Sequence, residues 1–221
     1  PDPVFSGITG IAKLLRIKIL PVPMEIFLDP TALRRVAEDL ESRGEKIKAL
    51  YAIADFSNPT GDSLSCHGRR AMLSLAKEMD FFILEDTAYR YFRYEGENIP
   101  SMKSIDSSRV FLLGSFSKSI FPGLRMGYVV APEGAGVMPF SPRLCKAKSL
   151  VTVNTPALCQ AVVAGLLIEN HFSLKGLNHA RALSYAKKRD HMIESLERAF
   201  PAKEGDPGTV TWNQPAGGFF I

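Results

Sequence analysis

Short apolar runs alternate with amphipathic stretches through the first 131 residues of the chain. The apolar runs predict strands at residues 17–22, 47–54, 81–85, 110–115 and 127–131. Each run is short, as in a strand that is buried on both faces of a sheet. Strands that alternate with helices are typical of an α/β domain with a mostly parallel sheet, flanked by helices.

Two amphipathic stretches between these runs predict helices that cover the sheet. Residues 30–43 follow Asp29, a residue type that caps helices, and begin with Pro30, which suits a first helical turn. Residues 66–79 follow Ser65, another capping residue type, and repeat apolar side chains with the helical period. We therefore expect both helices to be capped and packed against the sheet.

The pattern changes after Pro132, where the alternation with strands stops. Residues 155–169, preceded by Asn154 as a candidate cap, and residues 177–200 predict helices, a turn follows at 205–208, and residues 209–212 resemble a strand. A break at 170–176 predicts a large domain over residues 1–175 and a linking helix with the start of a small α+β domain over 176–221. The chain lacks a first Met and ends inside a strand-like run, so we expect a piece truncated at both ends.

Composition and charge exclude several classes of protein. Hydrophobic residues make up 46% and charged residues 23%, as in ordinary folded proteins. The net charge is +4, and the lysines and arginines are scattered among acidic residues along the chain. This scatter argues against nucleic-acid binding. No apolar run reaches the ~20 residues that span a bilayer. Three distant cysteines and four scattered histidines indicate neither disulfides nor a metal site, and favour a cytoplasmic location.

The candidate chemistry lies in three polar segments, each of which follows a predicted strand. Ser115-Phe116-Ser117-Lys118, with Arg125 further on, offers hydroxyls and a guanidinium for a phosphate and an amine that can form an imine. Asn58-Pro59-Thr60-Gly61 and Asp86-Thr87-Ala88-Tyr89 follow the second and third strands. Open α/β sheets bind ligands at the carboxyl ends of their strands, so we expect the three segments to converge.

These segments resemble the class I and II aminotransferases, enzymes of fold type I that depend on pyridoxal 5'-phosphate. The family's NPxG, D-x-x-Y and S-x-[SA]-K motifs appear in the family's order, followed by the arginine at Arg125. The spacing also agrees, with 28 residues from Asn58 to Asp86, 32 to Lys118 and 7 to Arg125. The nearest subgroup contains the aminoadipate and aromatic aminotransferases and the related halves of some transcription regulators.

The resemblance implies a role for each matched residue. Lys118 would hold pyridoxal phosphate as an internal aldimine and move the proton during transamination between an L-amino acid and a 2-oxo acid. Asp86 would pair with the pyridine nitrogen, and Asn58 and Tyr89 would hydrogen-bond the 3′ oxygen of the ring. The phosphate would be held by Ser115, Ser117 and Arg125. The family also implies a homodimer.

Alternatives remain open at this point. The same cofactor site would serve elimination, decarboxylation or oxidation, because the protein selects the bond by orientation. A non-catalytic effector domain of a transcription regulator, or an inactive fragment, would keep the scaffold without turnover. Members of the family are nearly twice this length, with a glycine-containing phosphate loop and a stacking aromatic before the matched part and a carboxylate-binding arginine after it.

Overall fold

The computed structural model describes residues 1–133, 139–201 and 210–221. Its strands are β1 (Ala49–Ile53), β2 (Phe82–Asp86), β3 (Val110–Ser115) and β4 (Gly127–Val130). Its helices are α1 (Ser6–Leu14), α2 (Met24–Leu28), α3 (Pro30–Ser42), α4 (Cys66–Glu78), α5 (Met102–Ile105), α6 (Phe116–Ser119), α7 (Phe140–Thr152), α8 (Ala157–Glu169) and α9 (Lys175–Ala199). Two 3₁₀ turns lie at Arg90–Phe92 and Pro122–Leu124.

The four strands form one mixed sheet in the order β1-β2-β3-β4. The first three are parallel, and β4 runs antiparallel to β3. Ile53 at the end of β1 pairs with Asp86, and Asp86 pairs with Leu113 near the end of β3. The predicted α/β class with a mostly parallel sheet is confirmed.

Helices α3 and α4 begin where the sequence predicts and bury their apolar faces. The Asp29 carboxylate accepts a 2.8 Å bond from the Thr31 amide, and the Ser65 hydroxyl accepts a 3.1 Å bond from the Gly68 amide. These bonds satisfy amides that the first turn of a helix leaves free. The resulting core joins α2–α5 to the sheet, through Phe27, Leu33, Met72, Leu75, Phe81, Ile83, Met102 and Val110.

The predicted strand at residues 17–22 and the predicted burial of β4 were wrong. Residues 17–22 form no strand, and Ile17 and Leu20 are exposed, because no described strand lies beside them to accept their hydrogen bonds. β4 forms as predicted but all four of its residues are exposed, so it is not buried on both faces. It is an edge strand of the described sheet, with only β3 as its partner.

The later part of the chain is helical, and α9 contacts the large predicted domain. The Tyr185 ring lies 5.8 Å from that of Phe92, and the Arg181 guanidinium donates to the Ser119 carbonyl at 3.2 Å. The predicted domain boundary at 170–176 coincides with the break between α8 and α9 and stays a prediction. Asn154 is not the cap of α8, because that helix begins three residues later with Pro156 as its cap.

The C-terminal segment, residues 213–220, lies against the loop that follows β2. The Tyr94 amide donates to the Ala216 carbonyl at 3.1 Å, and the Gly218 amide donates to the Phe92 carbonyl at 3.0 Å. The predicted strand at 209–212 is wrong for residues 210–212, which form no strand, and residue 209 and the predicted turn at 205–208 lie outside the described residues. Among the described helices, none is long and apolar enough to cross a membrane.

Candidate functional site

The polar segments meet at the carboxyl edge of the sheet, defined here as the edge where β1, β2 and β3 end. Asp86 is the last residue of β2, Ser115 is the last residue of β3, and the turn at 58–61 follows β1. Because β4 is antiparallel, it begins at this edge, where Gly127 pairs with Ser115. The topology thus brings all three polar segments and the start of β4 to one side of the sheet, where α/β proteins bind ligands.

The turn at residues 58–61 is closed by backbone hydrogen bonds and packed against the C-terminal segment. The Gly61 amide donates to the Ser57 carbonyl at 2.6 Å, and the Ser57 amide donates to the Asp62 carbonyl at 2.7 Å. Gly61 has a φ of +71°, and a Cβ there would lie 2.9 Å from the Phe220 carbonyl oxygen. Glycine is therefore required at this position both by conformation and by space.

The Asp86 carboxylate is half-buried and held at both oxygens. Its Oδ1 accepts from the Ala88 amide at 3.0 Å, and its Oδ2 accepts from the Tyr51 hydroxyl at 2.7 Å. Burial, followed by the nearby Asp86 charge, raises the pKa of Tyr51, which keeps that hydroxyl a neutral donor. Each carboxylate oxygen has a second lone pair, so Asp86 can still accept from a ligand.

Tyr89 and Asn58 lie beside this carboxylate. Burial raises the pKa of the Tyr89 hydroxyl, a hydrogen bond with the Asn58 side chain opposes the rise, and the Asp86 charge adds to it. Phe219 and Phe220 of the C-terminal segment pack edge-on against the Tyr89 ring at 5.4 and 5.5 Å. The structure thus brings three predicted site residues together, next to the C-terminal segment.

The Ser115–Lys118 segment turns directly from β3 into α6. Ser115 caps this short helix, accepting a 3.2 Å bond from the Ser117 amide through its hydroxyl oxygen. Lys118 lies in the last turn of α6 and is half-buried. The Ser115 hydroxyl hydrogen stays available to a ligand, because the cap uses only the oxygen.

Arg125 lies two residues before the start of β4 at the carboxyl edge. It follows the 3₁₀ turn at Pro122–Leu124 and has a left-handed backbone, with a φ of 51°. The Phe116 amide donates to the Met126 carbonyl at 3.1 Å, which ties the residue after Arg125 to the start of α6. The exposed guanidinium donates to the Pro122 carbonyl at 3.3 Å. Within residues 1–133, no hydrogen bond joins Arg125 to Ser115 or Ser117.

The sequence patterns did not predict a buried ionic cluster that lies next to the turn at residues 58–61. The cluster consists of Asp55, Arg69, Glu85 and Arg93, and Arg69 and Glu85 are fully buried. Asp55 Oδ1 accepts from Arg69 at 2.7 Å and from Arg93 at 3.1 Å. The available signal was the helical period: Arg69 lies three residues before Met72 on the buried face of α4.

The opposite end of the cluster holds α5 against the sheet. The two oxygens of Glu85 accept from the Met102 and Lys103 amides at 2.7 and 2.9 Å, and Arg69 lies 4.0 Å away. These groups are structural. Among the described residues, no group of three or more His, Cys, Asp or Glu side chains could hold a metal ion.

Comparison with known proteins finds similar sequences and structures. The chain is 37% identical over 226 residues to (S)-3,5-dihydroxyphenylglycine transaminase from Amycolatopsis orientalis, a match that covers 100% of this chain and 50% of that protein. It is 34% identical over 173 residues to the uncharacterized HTH-type transcriptional regulator YisV from Bacillus subtilis, covering 78% of this chain and 33% of the regulator.

A solved structure is also similar to this chain. LysN, an α-aminoadipate aminotransferase from Thermus thermophilus crystallised with N-(5'-phosphopyridoxyl)-L-leucine, matches with a TM-score of 0.66 and 30% identity over 83% of this chain and 44% of its own. The chain spans about half the length of the curated relatives it matches. The family model described as aminotransferase class I and II matches residues 1–221. The predicted resemblance and fold type are confirmed, and the chain belongs to the class I and II aminotransferases.

Proposed function

We propose that this chain forms the cofactor-binding part of an aminotransferase that uses pyridoxal phosphate to move an amino group between an L-amino acid and a 2-oxo acid. The observation that carries the proposal is the grouping of Asp86, Asn58 and Tyr89 at the carboxyl edge, where Lys118 follows the adjacent strand. Family membership and the phosphopyridoxyl ligand of LysN support the choice of cofactor.

The residues around Asp86 fit the pyridine end of the cofactor. A half-buried carboxylate with free lone pairs is a suitable partner for a protonated ring nitrogen. Tyr89 stays protonated because burial raises its pKa, so its hydroxyl can donate to the 3′ oxygen. The Asn58 amide supplies a second donor to the same oxygen.

The residues around α6 fit the phosphate end. Ser115 and Ser117 offer hydroxyl donors on one turn of chain, and Arg125, whose neighbour Met126 is bonded to the first residue of α6, offers a planar fork of charged donors. The Arg125 side chain is exposed and bound only to a backbone carbonyl of the described chain. A phosphate dianion would compete well with that neutral acceptor, because its hydrogen bonds to arginine are charge-assisted.

Lys118 is the residue that we assign to covalent attachment and to proton transfer. When bound, pyridoxal phosphate supplies a carbon that takes the amino group and a ring that accepts electrons from the substrate. The Lys118 Nζ would form the covalent bond to the protein, and the same amine, when free, would take the proton from the α-carbon of the amino acid. Its half-buried position on α6 limits competition from water.

The proposal includes a homodimer and a cytoplasmic location. Large apolar side chains near the end of α7 are exposed, with Leu150, Val151 and Val153 each at least 80% accessible. An exposed apolar patch of this kind is typical of an interface with another protein surface. Symmetric pairing of two copies is the arrangement that the family favours.

The match to a transcription regulator favours a second candidate function, a non-catalytic effector domain that binds the cofactor. Such a domain would bind pyridoxal phosphate and leave an amino acid unchanged. Another chemistry at the same cofactor, such as elimination or decarboxylation, would consume the amino acid without forming the matching 2-oxo acid. Product analysis with a panel of amino acids separates these cases.

The first experiment is reduction of the protein with borohydride after incubation with pyridoxal phosphate, followed by peptide mapping. The expected result is a pyridoxyl group on Lys118 that disappears in Lys118→Ala. The control variant is Lys48→Ala, which removes an exposed lysine and should keep the label. Equal labelling of several lysines, or a label that survives in Lys118→Ala, would contradict the assignment.

A further inference from the structure

We propose that Tyr51 is a positioning residue that fixes the carboxylate plane of Asp86 for the cofactor. The inference rests on the proposed function, because Tyr51 can position Asp86 for the cofactor only if Asp86 binds the cofactor. Sequence motifs do not point to Tyr51, since it lies inside β1 and not at a strand end.

The sheet register explains how Tyr51 reaches this carboxylate. Tyr51 pairs with Leu84, and Asp86 lies two residues further along β2, on the same face of the sheet as Leu84. The diagonal between the two Cα positions is about 8 Å, from the strand spacing and the rise per residue. A tyrosine is long enough to bridge it, and its hydroxyl ends 2.7 Å from Asp86 Oδ2.

The two hydrogen bonds on Asp86 act together. The Ala88 amide holds Oδ1 from a position two residues along the same chain, while Tyr51 holds Oδ2 from the neighbouring strand. With a donor on each oxygen, the carboxylate plane cannot rotate without breaking a bond to a charged acceptor, which is among the stronger hydrogen bonds in proteins.

The Tyr51 ring is anchored independently of its hydroxyl. It packs against the cluster formed by Ile53, Phe56 and Tyr89. Removal of the hydroxyl in Tyr51→Phe therefore keeps the packing and deletes only the bond to Asp86. The matched control is Tyr94→Phe, which removes the hydroxyl of another half-buried tyrosine, one whose ring lies under the Arg189 guanidinium.

The first measurement needs no cofactor. Hydrogen exchange at the Ala88 amide reports how well Asp86 Oδ1 is held, because that oxygen is its acceptor. We expect exchange at Ala88 to accelerate about tenfold in Tyr51→Phe, as expected for loss of a hydrogen bond to a charged group, and to stay at the wild-type rate in Tyr94→Phe. An unchanged rate in Tyr51→Phe would overturn the proposal.

The second measurement uses the full chain loaded with pyridoxal phosphate labelled with ¹⁵N in the ring. The ring-nitrogen signal should move toward that of unprotonated pyridine in Tyr51→Phe, and the affinity for the cofactor should fall about tenfold. A wild-type signal in the loaded variant overturns the positioning role. If Lys118 of the wild type is not labelled in the borohydride experiment, the proposed function is wrong. The exchange rate at the Ala88 amide then decides whether Tyr51 holds Asp86.

Discussion

Arg125 carries the charge of the proposed phosphate site, and its replacement by lysine tests that role. Lysine keeps the positive charge but loses the planar fork that matches two phosphate oxygens. We expect Arg125→Lys to weaken binding of pyridoxal phosphate by about tenfold, equivalent to about 1.4 kcal/mol. A titration followed by the visible spectrum of the bound cofactor measures the change.

Arg16→Lys is the matched control for this substitution. Arg16 is also exposed and also has a left-handed backbone, with a φ of 55° against 51° for Arg125. The backbone cost of the replacement is therefore the same at the two positions, and Arg16→Lys should bind the cofactor like the wild type. If both variants bind equally well, Arg125 does not hold the phosphate.

The sequence motifs predicted candidate site residues at and just after the strand ends, and missed Tyr51 inside β1. Asn58, Asp86 and Lys118 were predicted because their spacing matches known motifs and because polar residues after buried strands suggest ligand binding. Tyr51 was hidden, because a tyrosine within an apolar strand predicts core packing. Only the register of β1 against β2 reveals that its hydroxyl meets Asp86.

The turn at residues 58–61 depends on the contact between Gly61 and the C-terminal segment. An alanine at Gly61 would adopt a left-handed backbone and would also press its Cβ against the Asn213 side chain and the Phe220 carbonyl. We expect Gly61→Ala to lower the free energy of unfolding by about 1 kcal/mol for the backbone and a further ~1–3 kcal/mol for overpacking. Urea unfolding measures the total.

Gly44→Ala separates the two contributions. Gly44 has nearly the same φ, +73°, and an added Cβ would meet nothing within 4 Å. This variant should show the backbone cost alone. Equal losses in Gly61→Ala and Gly44→Ala would mean that the C-terminal segment does not press on the turn.

The caps of α3 and α4 were predictable from the sequence, whereas the absence of a strand at residues 17–22 was not. Asp29 and Ser65 cap α3 and α4 as expected, because a cap is decided by residues within one turn. Residues 17–22 have the composition of a strand, but a strand exists only where a neighbour completes its hydrogen bonds. A partner strand would come from a distant part of the sequence, which the local pattern does not reveal. The pattern at residues 17–22 was therefore misleading.

The buried ionic cluster links the candidate site to the rest of the fold. Asp55 precedes the turn at 58–61, Arg69 belongs to α4, and Glu85 precedes Asp86 on β2. Two acidic and two basic side chains balance in charge, and hydrogen bonds satisfy them. Breaking one member would leave a buried charge without a partner, which is more costly than losing an exposed ion pair.

Glu85 makes the stability of the whole chain depend on pH. Burial raises the pKa of its carboxyl group, and the Lys103 and Met102 amides and Arg69 only partly oppose the rise. The folded state therefore binds the proton more tightly than the unfolded state, so this contribution to stability is complete below the ordinary glutamate pKa of about 4.3. It is lost as the pH rises through the raised pKa of the folded protein.

The variant Glu85→Gln isolates this contribution, because glutamine cannot titrate. We expect the difference in unfolding free energy between wild type and Glu85→Gln to shift against the wild type as the pH rises from about 4.3. Urea unfolding across a pH series measures it, with Glu97→Gln as the control, since Glu97 is exposed and its loss changes the net charge equally. A difference that stays constant with pH would mean that Glu85 has the same pKa in the folded and unfolded states, and one that moves in favour of the wild type would mean that the ionic cluster stabilises the charged form of Glu85.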